Sequence, residues 1–221
     1  MYDDAFYQTV RDGARRSANA VVDTILMRAL IPRPKSVIDV GCGEGWWAAA
    51  FGRHGCMTLA VDNHPKPPAG SPLAESSWAQ HNLNEPLPAD LGHHDLAVCL
   101  EVGEHLPASC ADQLVDGLSG VSDQILWSAA IPGQGGHGHI NEAWPSYWLR
   151  KFEAHGFSVS GAIRWIIWDH PEVENWYRQN LFFLTRFPDR FPELFADAAC
   201  PYPIPVVHPV LWSARTGVPA T

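Results

Sequence analysis

The sequence predicts an α/β protein built on an open, doubly wound sheet, and three observations carry that expectation. Short apolar runs alternate with amphipathic, helix-like stretches along most of the chain. One run, Ser36–Val40, carries the acid Asp39 near its end, turns through Gly41, Gly43 and Gly45, and reopens as a helix bearing Trp46, Trp47 and Phe51. Later apolar runs also end on polar side chains, at Asp62, Asn82 and Glu101. Strands that alternate with helices pair in parallel, and such polar ends gather around a crevice at their carboxyl edge.

Taken in order, residues 12–30 place Ala14, Ala18, Val21, Val22, Ile25, Leu26 and Ala29 at three- and four-residue spacing, which is one helix face. Pro32 and Pro34 end it, and the first strand follows. The glycine turn lets the backbone take positive φ and approach a ligand closely, and the next helix, expected from about Glu44, presents its positive end to the same place. The spacing is GxGxG, which matches neither the dinucleotide fingerprint nor a P-loop. A second strand over 57–61 ends in Asp62, an acid placed to accept from a ribose diol or to cap a turn.

Residues 64–76, rich in proline, form a surface connection to a short strand over 78–81. Asn82 and Leu83 then offer an amide and a backbone N–H that could read an adenine edge, although Asn82 equally suits a turn. The strand 95–100 leads into Glu101, and a helix from Pro107 buries Ala111, Leu114, Val115 and Leu118. A fifth strand over 124–130 precedes a loop, 131–145, with five glycines and prolines ahead of His139; it reads as a lid on the active face. Pro145 opens a helix through Trp148, Leu149 and Phe152 that stops at Gly156. Residues 157–168 and 181–187 read as a hairpin-like pair of strands at the sheet edge, and the tail from Pro188, with seven prolines, reads as irregular.

A chain of 221 residues is expected to form one domain, residues 1–221, with a helical segment at 1–30 and the proline-rich tail at 188–221. A net charge of −9 without a basic tract argues against nucleic acid and anionic membrane and favours a small-molecule substrate. No uncharged run is long enough to span a bilayer, so a soluble, cytoplasmic protein is expected. The five cysteines, Cys42, Cys56, Cys99, Cys110 and Cys200, include no CxxC pair, which argues against disulfides and a cysteine zinc site. Ten tryptophans fit either packing beneath loops or a lined apolar pocket.

The ordered set VIDVGCGEG, AVDNHP, HNLNEPLP and DLAVCLEVGEHLP resembles the class I S-adenosylmethionine-dependent methyltransferases over roughly residues 13–187. The resemblance implies a Rossmann-like seven-stranded sheet with helices on both faces and an antiparallel last strand. It implies that Asp39, Gly41 and Gly43 hold the methionine moiety of S-adenosylmethionine, Asp62 the ribose and Asn82 with Leu83 the adenine. Glu101 would lie beneath the sulfonium.

Glu101, Glu104 and His105 stand at i, i+3, i+4, so one helical turn would aim them together. Two carboxylates and an imidazole suit Mg²⁺, Mn²⁺ or Fe²⁺, although the acids could instead hold backbone or cofactor groups while His105 packs. EVGEH is similar to the ExxEH motif of the ubiquinone-biosynthesis O-methyltransferases and the small-RNA terminal 2′-O-methyltransferases. In the latter a further loop histidine completes the site, which here implies His139. His105, His137 or His139 could act as base toward a hydroxyl. O-methylation of a small molecule is expected, against an enzyme that attacks or cyclises the aminocarboxypropyl arm, or an inactive cofactor-binding partner subunit.

Overall fold

The computed structural model describes residues 4–196 and 205–218, with side chains from residue 12 onward. Its seven strands form one sheet in the order β3-β2-β1-β4-β5-β7-β6. The elements are α1 (Asp4–Met27), β1 (Ser36–Val40), α2 (Trp46–Arg53), β2 (Met57–Asp62), β3 (Trp78–Gln80), β4 (Leu96–Leu100) and α3 (Ala111–Val121). They continue with β5 (Gln124–Ser128), α4 (Pro145–Ala154), β6 (Ser158–Ser160), α5 (Ala162–Ile167), α6 (Asn175–Asn180), β7 (Phe182–Thr185), α7 (Pro192–Phe195) and α8 (Pro209–Thr216). Strands β3, β2, β1, β4 and β5 are parallel neighbours, and β7 runs antiparallel to both β5 and β6. The doubly wound sheet and its antiparallel last strand are as the sequence predicts.

Alternation along the strands divides the core between the two faces. Val37, Leu96, Val98 and Leu126 join α1, α2, α5 and Phe183 on one side. Ile38, Ala97, Cys99, Ile125 and Trp127 face α3 and α4 on the other, where Trp127 packs against Trp148 and Phe152 at ring-centroid distances of 5.1 and 5.2 Å. A strand apolar on both faces is what an inner parallel strand requires, and β4 is buried throughout. Both helical layers leave the carboxyl ends of β1, β2 and β4 with their polar residues in the crevice above them.

Four expectations change. Helix α2 begins at Trp46 rather than near Glu44, because Gly45, at φ 85°, still belongs to the turn. Strand β5 ends at Ser128, so Ala129 and Ala130 belong to the loop. The 157–168 stretch is a strand only over Ser158–Ser160: Gly161 ends the ladder, the Ser160 hydroxyl accepts from Ala162 N at 3.2 Å, and α5 starts. In α5 the residues Ile163 and Ile167 are buried one turn apart while Trp165 faces solvent, a helical spacing hidden by β-branched and aromatic composition. The intervening polar segment folds as α6, so β6 and β7 pair without forming a hairpin.

The tail is also more regular than its proline content suggests. Pro192 and Pro209 take first-turn positions, where a missing N–H costs nothing, and open α7 and α8. The His208 ring accepts from Val210 N and so caps α8, whose Leu211 is buried. Cys42, Cys56, Cys99 and Cys110 are free thiols; Cys200 lies outside the described residues.

Candidate active site

The glycine turn is fixed by its neighbours on β1 and β2. Gly41 N and Cys42 N donate to Val61 O at 2.8 and 3.2 Å, and Gly43 N donates to Asp62 Oδ2 at 2.9 Å. Gly43 has φ 57°, and no atom lies within 4 Å of where a Cβ would stand, so its backbone faces open space. Asp39, almost wholly buried, accepts from Ala48 N in the first turn of α2 at 3.1 Å. Burial pushes its carboxyl up to about 7 against the Ala48 hydrogen bond, with the Asp62 charge adding to the rise. Asp62 Oδ1 accepts from His64 N at 3.3 Å, so this acid both braces the turn and stands at the crevice edge. An open backbone cradle between two acids fits the methionine and ribose portions of S-adenosylmethionine.

Asn82 bends toward Asn84: its Oδ1 accepts from Asn84 N at 3.1 Å and from Asn84 Nδ2 at 3.0 Å. The turn role left open by the sequence is therefore present, with Leu83 buried beside it. Cys42 donates only weakly to Gly43 O, and burial raises its thiol above the ordinary range, so it is inert.

After β4 the chain does not enter a regular helical turn at once. Glu101 adopts φ 56°, in the left-handed region, and a 3₁₀ turn follows over Gly103–His105. This separates the three residues that sequence spacing groups together. Glu104, His105 and His139 converge, with one ligand-type atom of each within 4.8 Å of the others, whereas Glu101 is not in that group. Its carboxylate accepts instead from Gln134 Nε2 at 2.7 Å and Asn180 Nδ2 at 3.2 Å. Burial raises Glu101, opposed by hydrogen bonds from Ser128, Gln134 and Asn180 and by the charge of His139.

Glu104 is fully buried, and neither carboxylate oxygen has a well-formed hydrogen bond among the described residues, although the Glu101 carboxyl and the Ala130 backbone lie beside it. Burial first, and the neighbouring Glu101 next, push it up to about 9. The His105 and His139 rings meet edge to face at 4.9 Å, and burial followed by the His139 charge lowers His105, which favours its neutral form.

The 131–144 loop is tied down where it meets the site. Ile140 N and Asn141 N donate to Glu104 O at 2.8 and 3.0 Å, and Gly133 N and Gly135 N donate to the Glu142 carboxylate at 2.8 and 2.7 Å. Glu142 Oε1 also holds His139 Nδ1 at 2.9 Å, which leaves Nε2 as the ring nitrogen available to a ligand. Gly136 is required here by space: a Cβ would come within 2.3 Å of His139 Nε2. His137 is exposed on the same loop, and its charge contributes to lowering His105. A buried carboxylate without a well-formed hydrogen bond beside two imidazoles, one oriented by a second acid, fits a divalent cation.

Sequence reasoning did not find Gln134, Gln179 and Asn180, all buried around Glu101. Nor did it link Trp47 to Tyr177. Their rings meet at 5.0 Å, and burial, with Glu101 and Asp39 among its neighbours, raises the Tyr177 hydroxyl above its ordinary range.

The sheet order, the glycine turn and the acids above it define the class I methyltransferase fold. Residues 14–114, a little under half of the chain, match a family described as a methyltransferase domain. Among curated relatives, the ubiquinone biosynthesis O-methyltransferase of Sodalis glossinidius (strain morsitans) is 34% identical over 92 residues, 39% of this chain and 37% of that protein. The protein of the same name from Cronobacter sakazakii is 30% identical over 79 residues, 33% of this chain and 32% of its own length. The matches therefore span about a third of each relative. The magnesium protoporphyrin IX methyltransferase of Synechocystis PCC 6803, solved with bound SAH, superposes with a TM-score of 0.58 at 18% identity, covering 84% of this chain and 89% of that one. A small RNA methyltransferase, HEN1, superposes at 0.55 and 16% identity, covering 84% of this chain and 26% of that one. At these identities the structural likeness shows the fold.

Proposed function

We propose that the protein transfers the methyl group of S-adenosylmethionine to a hydroxyl of a small-molecule acceptor, with a divalent cation held by Glu104, His105 and His139. The observation that carries this reading is the Glu104 carboxylate, fully buried without a well-formed hydrogen bond among the described residues and facing two imidazoles. Raised to about 9, that carboxyl keeps a proton near neutral pH, and a divalent cation would displace the proton and supply the partner that the carboxylate needs. The names of the curated relatives support oxygen as the acceptor atom.

S-adenosylmethionine supplies an electrophilic methyl carbon, so the chain's own task is to align the acceptor and receive its proton. Asp39, the Gly41–Gly43 backbone and Asp62 would hold the methionine and ribose ends, and Leu83 with Asn82 would border the adenine. Glu101, which follows β4, would lie beneath the sulfonium. The acceptor would be held near the His105–His139 pair, whose rings meet at 4.9 Å. A cation in the second site would lower the pKa of the acceptor hydroxyl. His105, held toward its neutral form, would be ready to ligate the cation, and His139 is oriented by Glu142.

Incubating the full chain with S-adenosylmethionine and a panel of small hydroxylated acceptors, with Mg²⁺ or Mn²⁺ and then with chelator, tests the reading. S-adenosylhomocysteine should appear with a metal and be lost with chelator. Full activity in metal-free buffer would reject the cation, and methylthioadenosine as product would mean attack on the aminocarboxypropyl arm instead.

A further inference from the structure

Glu101 is held by a chain of side-chain amides whose polarity is set from outside the site. The backbone N–H of His208 donates to Gln179 Oε1 at 2.7 Å. Gln179 Nε2 donates to Asn180 Oδ1 at 2.9 Å and to Gln134 Oε1 at 3.4 Å, and Asn180 Nδ2 donates to Gln134 Oε1 at 2.8 Å. Gln134 Nε2 and Asn180 Nδ2 then donate to the two oxygens of Glu101 at 2.7 and 3.2 Å. A backbone N–H can only donate and an ionised carboxylate can only accept, so the two ends force every amide between them into one orientation. All three amide side chains are buried, which removes water as an alternative partner.

The outer end belongs to the C-terminal segment. His208 precedes α8, and Arg215 of α8 donates to the Gln134 carbonyl at 3.0 Å from Nε. Glu101 itself sits at φ 56° with its N–H directed to Ser128 O and Oγ at 2.9 and 3.1 Å, a backbone conformation that a glutamate keeps only when its surroundings fix it.

We infer that Gln134 and Asn180 are positioning residues: an amide clamp, keyed by Gln179 and the C-terminal segment, that keeps the Glu101 carboxylate on the cofactor side and out of the Glu104–His105–His139 group. The clamp divides two neighbouring acids between two tasks. Glu104 serves the cation, and Glu101 presents negative charge to the sulfonium. This rests on the methyltransferase reading above.

The division predicts a discrimination that a purely structural role would not produce. S-adenosylmethionine carries a positive sulfur and S-adenosylhomocysteine a neutral one, so a correctly aimed Glu101 favours the former. Asn180→Leu and Gln134→Met keep approximate shape and remove the donors. Calorimetric titration of the full-length variants should show S-adenosylmethionine affinity falling about tenfold, as a misaimed carboxylate loses its attraction for the sulfonium, while S-adenosylhomocysteine affinity changes by less than about threefold. Retained S-adenosylhomocysteine binding also shows that each variant is folded. If the wild type binds both ligands and the variants keep its affinity ratio, or lose both affinities equally, the clamp is overturned alone. A wild type that binds neither overturns the methyltransferase reading and the clamp's role together.

Discussion

Asp39 and Asp62 stand 23 residues apart in sequence at the ends of adjacent strands, and their environments set them to different tasks. Asp62 is half-buried and already accepts from two backbone N–H groups. Asp62→Ala should therefore weaken S-adenosylmethionine binding by about 10- to 100-fold through loss of charge-assisted hydrogen bonds, and unchanged affinity by calorimetry would remove it from the ribose role. Asp39 is a buried acid raised from 3.8 to about 7. Between those values the folded chain retains a proton that the unfolded chain has released. Its contribution is fully present below about pH 4, falls as pH rises, and is lost above about pH 7. Asp39→Asn keeps an acceptor for Ala48 N and removes the titration. Its melting temperature should gain on the wild type between about pH 4 and pH 7 and level off above that, with the difference vanishing near pH 4; a constant offset would contradict the assignment. Cofactor affinity should move oppositely. A ligand ammonium favours ionised Asp39, so wild-type affinity should rise toward pH 7 while that of the variant stays flat.

At the level of elements, the strands that build the crevice are legible in the sequence because burial on both faces leaves short, uniformly apolar runs with a polar residue at the end. Helix α5 is not legible in that way. Its two buried isoleucines sit among tryptophans and a third isoleucine, and composition outweighs the one-turn spacing of Ile163 and Ile167. Helix α8 is hidden by proline density, although Pro209 at its first turn and the Leu211–Arg215 spacing are helical features. The amide clamp is invisible for a different reason: Gln134 and Asn180 lie 46 residues apart, and nothing local marks them as partners. EVGEH is intermediate, since its spacing brings Glu104 and His105 to His139, but a left-handed Glu101 breaks the helical phase on which the full grouping depends. The 131–144 loop, read from its glycines as a lid, is pinned through Glu142 to both its own backbone and His139. Glu142→Gln should lower cation affinity by about 10- to 100-fold, as for other acids that orient a ligand histidine, and leave S-adenosylhomocysteine affinity nearly unchanged. Mn²⁺ titration followed by electron paramagnetic resonance checks the first part. Equal loss of both affinities would mean that the loop supports the whole crevice rather than the cation and acceptor side.

Over the whole molecule, the sheet separates packing from chemistry. Two apolar layers cover its faces, and the charged groups with perturbed ionisation, Asp39, Glu101, Glu104 and His105, collect above the carboxyl ends of β1 and β4. Among the described residues no helix is long and apolar enough to cross a membrane. The chain holds 15 lysines and arginines against 24 acids, and several of the cations are already paired: Arg186 with Asp123 at 2.6 Å, Arg16 with Glu174 at 3.4 Å, and Lys151 with Asp112. The excess of acids opposes the approach of a phosphate backbone. The same sheet also supports a small RNA methyltransferase, so fold alone does not choose between acceptors. Salt dependence does. A protein that neutralises 6–10 phosphates loses about 10³- to 10⁵-fold in affinity between 50 and 200 mM salt, because binding releases condensed counterions. A small neutral or singly charged acceptor makes at most one such contact, which screening over a Debye length of about 8–10 Å weakens only slightly. The specificity constant for the acceptor should accordingly change by less than about threefold across that range, measured as S-adenosylhomocysteine release under subsaturating acceptor. A loss of a hundredfold or more would instead identify a polyanionic substrate and overturn the small-molecule assignment, while leaving the cofactor crevice and the clamp around Glu101 intact.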